Sequence, residues 1–143
     1  MDLFSALKVS SSGMSLQRTR MNVISSNMAN INTTRTPEGG PYRRKEVVAQ
    51  AEPLKSQGFE QAMGEAVREV KVTEIKEDKS PPRMVYDPSH PDADENGYVA
   101  MPNVNMLEEM LDMMNASRAY EANAAAVNAA KTMAQRAIDI GQR

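Results

Sequence analysis

The chain has 143 residues, and its 17 basic residues against 19 acids give a net charge of −2. This balance argues against nucleic acid as a partner, because phosphate binding needs a basic excess, and no apolar run reaches the about 20 residues of a membrane-spanning helix. Zero cysteines exclude disulfides and thiolate sites, and a single histidine, His90, excludes most catalytic triads and histidine-rich metal sites. The composition therefore favours a structural protein and not an enzyme, with no cofactor, metal or small-molecule substrate expected.

The prolines divide the chain into three segments. All eight lie between Pro37 and Pro102, whereas nine of the twelve methionines lie outside that interval. Because proline clashes with a helix interior, this distribution predicts a helical segment 1–34, a central loop and small β region 35–102, and a helical segment 103–143. The expected fold is mainly α, with long N- and C-terminal helices paired as a coiled-coil-like bundle and a small β-rich or irregular centre.

The first flank carries a seven-residue apolar pattern and is predicted to be helical over 3–31. Apolar residues at this spacing form a narrow stripe, which is typical of the seam between paired helices. Ser10 and Gln17 interrupt its second row. The two rows are Leu7, Met14, Met21 and Met28, and Leu3, Ile24 and Ile31.

The centre contains short stretches that predict strands. Alternating residues favour a strand from Lys45 to Ala51, and another over 69–77 with a slip after Thr73. Residues 83–86 and 98–100 are shorter candidates. Sheets this small are marginal alone, so we expect the centre to pack against helices or other subunits.

One loop of the centre has a pattern that could hold a cation. Residues 92–97 read D-A-D-E-N-G, as in the first half of a calcium loop, but the twelfth position is Asn103 and not glutamate. A turn leading into the next strand is the favoured interpretation. His90 precedes this stretch, and no nucleophile is identifiable near it, so an exposed loop histidine is expected.

The last flank is predicted to be a helix over 105–141. Asn105 fits an N-cap with Glu108 as its capping-box partner, and Gly141 fits the stop. Ten alanines between Ala116 and Ala137 give a high helix propensity and permit close approach of a partner helix. Apolar residues recur with four-three spacing at Met106, Met110, Met113, Tyr120 and Val127, interleaved with Ser117, Ala124, Lys131, Ala134 and Ile138.

Two charged clusters each have two interpretations. Glu108, Glu109 and Asp112 could supply paired carboxylates for glycoside hydrolysis, but acids at a helix start need no further explanation. The basic run 43–45, with Arg35, could grip phosphate. Without interleaved aromatics, a solvated or intersubunit patch is favoured.

The length of the two stripes predicts assembly. Helices over 3–31 and 105–141 would span roughly 43 and 55 Å, whereas a compact domain of this size has a radius of gyration of only about 14–15 Å. An alternative is a membrane-active amphipathic helical secretion component, but residues 1–31 carry few of the basic residues that it needs. The predicted assembly interface comprises Leu7, Met14, Met21, Ile24, Met28, Ile31, Met106, Met110, Met113, Tyr120 and Val127.

The end of the first helix resembles a known signature. Residues 26–34, SNMANINTT, are similar to the segment that ends the N-terminal helix of bacterial flagellar rod and hook proteins. Its signature positions here are Asn27, Ala29, Asn30 and Thr33. Further segments resemble the proximal-rod members of that family, namely residues 35–44, 85–94, 97–99, 103–105, 109–110 and 117–123.

The resemblance implies a structural subunit of the periplasmic drive shaft, with no catalytic residues. Family members assemble through their terminal helices into a tube, after passing the flagellar type III export channel without a cleaved signal peptide. The implied partners are other copies, other proximal-rod subunits, the distal-rod protein, and components of the membrane ring and export gate. The implied location is the periplasmic rod of the basal body.

Overall fold

The computed structural model describes residues 3–53 and 67–141. Two long helices are in contact, and the segment between them forms two small antiparallel sheets. This confirms the predicted fold class, while the division into 1–34, 35–102 and 103–143 stays a prediction. In chain order the elements are α1 (Leu3–Ala29), β1 (Lys45–Pro53), β2 (Arg68–Glu77), β3 (Arg83–Tyr86), β4 (Tyr98–Met101) and α2 (Met106–Gly141).

The two helices pack antiparallel in one constant register. The Asn27 side chain contacts Glu109, and a Cβ added to Gly13 would lie 3.0 Å from the Asn123 amide. These two contacts are fourteen residues apart on each helix, so the register does not drift between them. Ala116 and Ala130 are among the buried residues of α2, and their small side chains permit a close approach of the helices.

Local capping signals set the start of α2. The Asn105 carboxamide oxygen accepts a hydrogen bond from the backbone N–H of Leu107 (3.1 Å), as expected of an N-cap. Gly141 is the last described residue of that helix, and its predicted role as the stop stays a prediction. The helix α1 ends at Ala29, two residues before the predicted end at Ile31.

The sheet of β1 and β2 contains a bulge where the sequence predicted a slip. Val48 pairs with Glu74 and Ala49 pairs with Val72, so Thr73 lies opposite no residue of β1. The Thr73 hydroxyl donates instead to the Val48 carbonyl oxygen (3.2 Å). The bulge therefore lets β1 and β2 stay paired on both sides of Thr73.

This sheet packs against α1. The N–H of Val70 in β2 donates to the Ser12 hydroxyl oxygen (3.1 Å), and the Lys8 ammonium lies 3.7 Å from the Glu69 carboxylate. These contacts define the side of α1 that faces the sheet.

The second sheet pairs β3 with β4, which are connected by the loop 87–97. Tyr86 and Tyr98 contact edge to face, with ring centroids 5.3 Å apart. Gly97 has a φ of +79°, and a Cβ there would lie 3.0 Å from the Tyr86 ring. The Asp94 carboxylate accepts the N–H groups of Asn96 (2.9 Å) and Tyr98 (2.8 Å). The predicted turn is therefore confirmed, and this carboxylate is engaged by backbone donors.

Candidate assembly surface

A buried polar cluster (Asn27, Tyr42, Arg44 and Glu109) joins both helices to the start of β1. The Asn27 amide nitrogen donates to the Lys45 carbonyl oxygen (2.9 Å) and to Glu109 Oε2 (3.0 Å). Its carbonyl oxygen accepts from the Lys45 N–H (2.9 Å) and the Tyr42 hydroxyl (3.0 Å). Asn27 is 1% exposed and uses both donors and both acceptor sites. Its carboxamide thereby bonds both the N–H and the carbonyl oxygen of Lys45, the first residue of β1, in the way that the backbone of a neighbouring strand would.

The buried charge of the cluster is balanced by an arginine. Glu109 is 0% exposed, and its Oε1 accepts from Arg44 Nε at 2.5 Å. Arg44 also contacts Glu46, and its Nη2 lies 3.4 Å from the Asp112 carboxylate. Burial by itself lowers the pKa of Arg44, but the hydrogen bond and negative charge of Glu109, together with the charges of Glu46 and Asp112, outweigh it, so the pKa is raised. The guanidinium therefore remains charged.

The structure assigns these two residues roles that the sequence interpretation missed. Glu109 was expected to be one of several acids at the helix start, and Arg44 to belong to a solvated or intersubunit patch. The available signal was spacing, because Glu109 lies one heptad before Ala116 on the face of α2 that meets α1. A buried Glu109 bonded to Asn27 and Arg44 is also unavailable for glycoside hydrolysis.

The other signature residues organise the end of α1. Asn30 donates its amide to the Ser26 carbonyl oxygen (2.9 Å), and the Thr33 hydroxyl donates to the Asn30 carboxamide oxygen (3.2 Å). The Thr33 carbonyl oxygen accepts the N–H of Tyr42 (3.0 Å). Ala29 is exposed as the last helical residue. The signature thus ends the helix and positions Tyr42 in the polar cluster.

The predicted seven-residue row of α1 lies on the side of the helix away from the sheet. Successive residues of an α-helix are about 100° apart around its axis. On this basis the row is about 150° from the sheet side, marked by Lys8 and Ser12, and about 110° from the side that meets α2, marked by Gly13 and Asn27. Its members are half-buried in the single chain. This α1 row consists of Leu7, Met14, Met21 and Met28.

The predicted residues of α2 lie on the same side of the helical pair. Measured around the axis of α2, their mean direction is about 115° from Asp112, whose side chain reaches Arg44 beside β1. It is about 75° from the side that meets α1, which carries Glu109 and Asn123. These residues therefore point away from the sheet, as the α1 row does. Met110 is 48% exposed and Met113 is half-buried. This α2 row consists of Met106, Met110, Met113 and Tyr120, and the two rows together are called the outer face.

The helix seam uses Ile24 of the predicted apolar pattern together with residues that lie outside the pattern. Leu16, Val23 and Ile24 are buried on α1, and Ile24 is the predicted interface residue with the least exposure, 8%. Ile31 and Val127 are half-buried. On α2 the buried residues Glu109, Ala116 and Ala130 precede the predicted Met110, Ser117 and Lys131 by one residue each.

A further apolar patch at the start of α2 was not predicted. Leu107 is 71% exposed and Leu111 is 60% exposed, with Met114 beside them. Their mean direction is about 170° from the side of α2 that meets α1, so α1 does not cover them. The patch extends the outer face around the first turns of α2.

Two negative findings concern the alternatives considered for the sequence. Neither helix, within residues 3–53 and 67–141, combines the length and apolar character needed to cross a membrane. Over those same ranges, no three histidine or acidic side chains converge as ligands of a metal ion would.

Comparison with known proteins identifies the family. The model of the flagella basal body rod protein family matches residues 7–35, and the model of the FlgEFG flagellar basal body rod protein C-terminal region matches residues 95–140. Flagellar basal-body rod protein FlgC of Borreliella burgdorferi is 45% identical over 99% of both chains. The FlgC proteins of Bacillus subtilis and Salmonella typhimurium are 44% and 39% identical, over 99% of this chain and 100% of theirs. The chain therefore belongs to the FlgC family of flagellar basal-body rod proteins, which are structural rod subunits and not enzymes.

Proposed function

We propose that this rod subunit assembles into the proximal rod by packing its outer face against neighbouring subunits. Membership of a rod family implies assembly with other rod subunits. The finer proposal is that the neighbours are other copies and other proximal-rod subunits, with the distal-rod protein at one end and the membrane ring and export gate at the other. The observation that carries it is the position of both methionine-containing rows on one side of the helical pair, away from the sheet.

The chemistry of the outer face suits a subunit with several different neighbours. Burying a fully exposed side chain of this kind contributes roughly 1.5–3 kcal/mol. Because most of these side chains are already half-buried in the single chain, each gains part of that value on assembly, and the driving force comes from several of them together. Methionine is unbranched and adapts to irregular surfaces, and methionine-rich surfaces can repack against different partners. The outer face differs from the sheet side of the same subunit, and contacts between unlike surfaces generate rings or helical stacks.

The experiment places a charge on the outer face without touching the seam. Met110→Asp is the chosen variant because Met110 is about half exposed, whereas Ile24→Asp would disturb the buried seam itself. The expected result is normal helicity by circular dichroism with loss of the subunit from purified basal bodies and loss of motility, since the new carboxylate would be desolvated in the interface. Asn22→Asp introduces the same charge at an exposed position about 90° from the α1 row and is expected to remain motile.

Incorporation of the Met110→Asp chain at native levels would overturn the proposal. The same basal-body preparations address the route to the rod, which we propose to be type III export without cleavage. Intact mass measurement should then find the N-terminal segment still present on the assembled subunit. A mass that reveals removal of an N-terminal leader would contradict this route.

A further inference from the structure

We propose that the buried polar cluster sets the register of the two terminal helices and ties that register to the position of β1. The cluster contains a completely buried carboxylate, Glu109, within a seam of otherwise small and apolar residues. Replacing such a charged pair by well-packed apolar groups often leaves a protein equally stable or more stable. The presence of this cluster is therefore better explained by conformational specificity than by stability.

Apart from the close contact of Gly13 with Asn123, the rest of the seam discriminates poorly between registers. The α2 side offers alanine at positions 116 and 130, and further alanines recur along the helix. Sliding one helix past the other by one heptad moves it about 10 Å and again brings small residues to the seam. Apolar contacts are non-directional, so such a slip sacrifices little packing.

The polar cluster discriminates strongly between the observed register and registers shifted by one heptad. In the observed register Glu109 lies opposite Asn27, and a slip of one heptad would place it opposite Arg20 or Thr34 instead. Arg20 could balance the charge of Glu109, but Asn27 would then lose Glu109 and meet the region of Pro102. A buried charge or amide without its partners costs several kcal/mol. A single buried polar contact that fixes the register of paired helices is a well-attested use of such groups.

The contact with Lys45 extends the effect to the central segment. Asn27 holds both the N–H and the carbonyl oxygen of Lys45, and the N–H of Arg44 donates to the Asn103 carboxamide oxygen at 2.9 Å. The chain at the start of β1 is thereby fixed between the end of α1 and the segment that leads into α2. One arrangement of side chains consequently aligns the two helices and positions the sheet on them.

The test measures helix alignment directly in the isolated full-length chain. Because the sequence contains no cysteine, Ser25→Cys and Asn128→Cys provide two unique, exposed sites for spin labels. In the observed register these sites are about 25 Å apart along the helix axes, and a one-heptad slip changes the distance between labels by roughly 8 Å. Pulsed electron paramagnetic resonance then reports whether one or several alignments are populated.

The native cluster is expected to give one distance maximum, and the Asn27→Leu/Glu109→Met variant is expected to add a second, displaced by roughly 8 Å. Glu108→Gln removes a charge from an exposed neighbouring position and should retain the single maximum. A single unchanged maximum in the folded apolar variant would refute the proposal, as would a broad distribution in the native chain.

A second variant keeps the test decisive if the double variant loses its helical circular dichroism. Glu109→Gln preserves side-chain volume but leaves only one acceptor oxygen for donors from both Asn27 and Arg44. We expect this single variant also to populate a second maximum. Its failure to do so would overturn the proposal whatever the double variant does.

Discussion

Removal of the Arg44 side chain is predicted to be among the more costly single changes in the molecule. The variant Arg44→Met keeps the aliphatic part of the side chain and deletes the guanidinium. Glu109, whose carboxylate is 0% exposed in the native chain, then retains the donor of Asn27 but loses its cation. An uncompensated charge in a buried site is the physical source of the expected loss.

The structure gives the size of the effect. Breaking a buried ion pair by removing one partner typically costs 3–5 kcal/mol. Because the Arg44 side chain is 20% exposed, water can partly replace it, and we expect the lower end of that range, about 3 kcal/mol. The thermal midpoint should fall by about 10 °C for a chain of this length.

The assay is urea denaturation followed by circular dichroism, with a matched surface pair as control. The Lys71 ammonium lies 3.5 Å from the Glu52 carboxylate, with the two side chains 65% and 40% exposed. Lys71→Met also removes a charge from an ion pair but should cost less than about 1 kcal/mol, since exposed pairs contribute little. Equal losses for Arg44→Met and Lys71→Met would refute the reasoning that burial makes the polar cluster critical.

Two further predictions concern close contacts and a turn. Gly13→Ala should leave the free energy of unfolding within about 0.5 kcal/mol of native, because the gain in helix propensity is opposed by the contact with Asn123. In an Asn123→Ala background the same substitution should stabilise the chain by about 1 kcal/mol. Urea denaturation measures both effects, and equal effects in the two backgrounds would contradict the contact. The hydroxyl of Ser89 first, and its N–H second, lower the pKa of Asp87, so Ser89→Ala should raise that pKa towards its ordinary value, as NMR titration would show. Because the pKa of Asp87 is lower in the folded chain, its carboxylate stabilises the folded state at pH values above the unfolded-state pKa, about 3.9, and this stabilisation is lost as the pH falls through the folded-state pKa. Any difference in stability between native and Ser89→Ala should therefore disappear in strong acid. An unchanged pKa of Asp87 in the variant would exclude the hydroxyl as the cause.

The arrangement of the seam also explains why substitutions in the predicted interface should not behave alike. Ile24 is buried inside the single chain, whereas Met110 is half exposed on the outer face. A charge at Ile24 is expected to disturb folding, and a charge at Met110 is expected to disturb assembly. Loss of motility is therefore informative only when the helicity of the same variant has been measured.

The sequence alone determined the elements, because the signals that create them are local. The confinement of proline to the centre separates the two helices, and the Asn105 side chain caps α2 through a bond to a backbone group two residues away. The interrupted alternation around Thr73 likewise indicates the bulge before any partner strand is known. The family resemblance pointed to Asn27, but it did not supply a role for that side chain.

Only the tertiary structure decided which of several similar residues became buried. Glu108 and Glu109 are adjacent acids at the start of α2, and no local signal marks Glu109 for burial, yet Glu108 is exposed and Glu109 is enclosed by groups from distant parts of the chain. The apolar pattern also indicated the outward rows of the helices and not the full seam, since the seam of α2 is built from alanine and glutamate. Burial depends on what packs opposite a residue, and that is fixed only when the two ends of the chain meet.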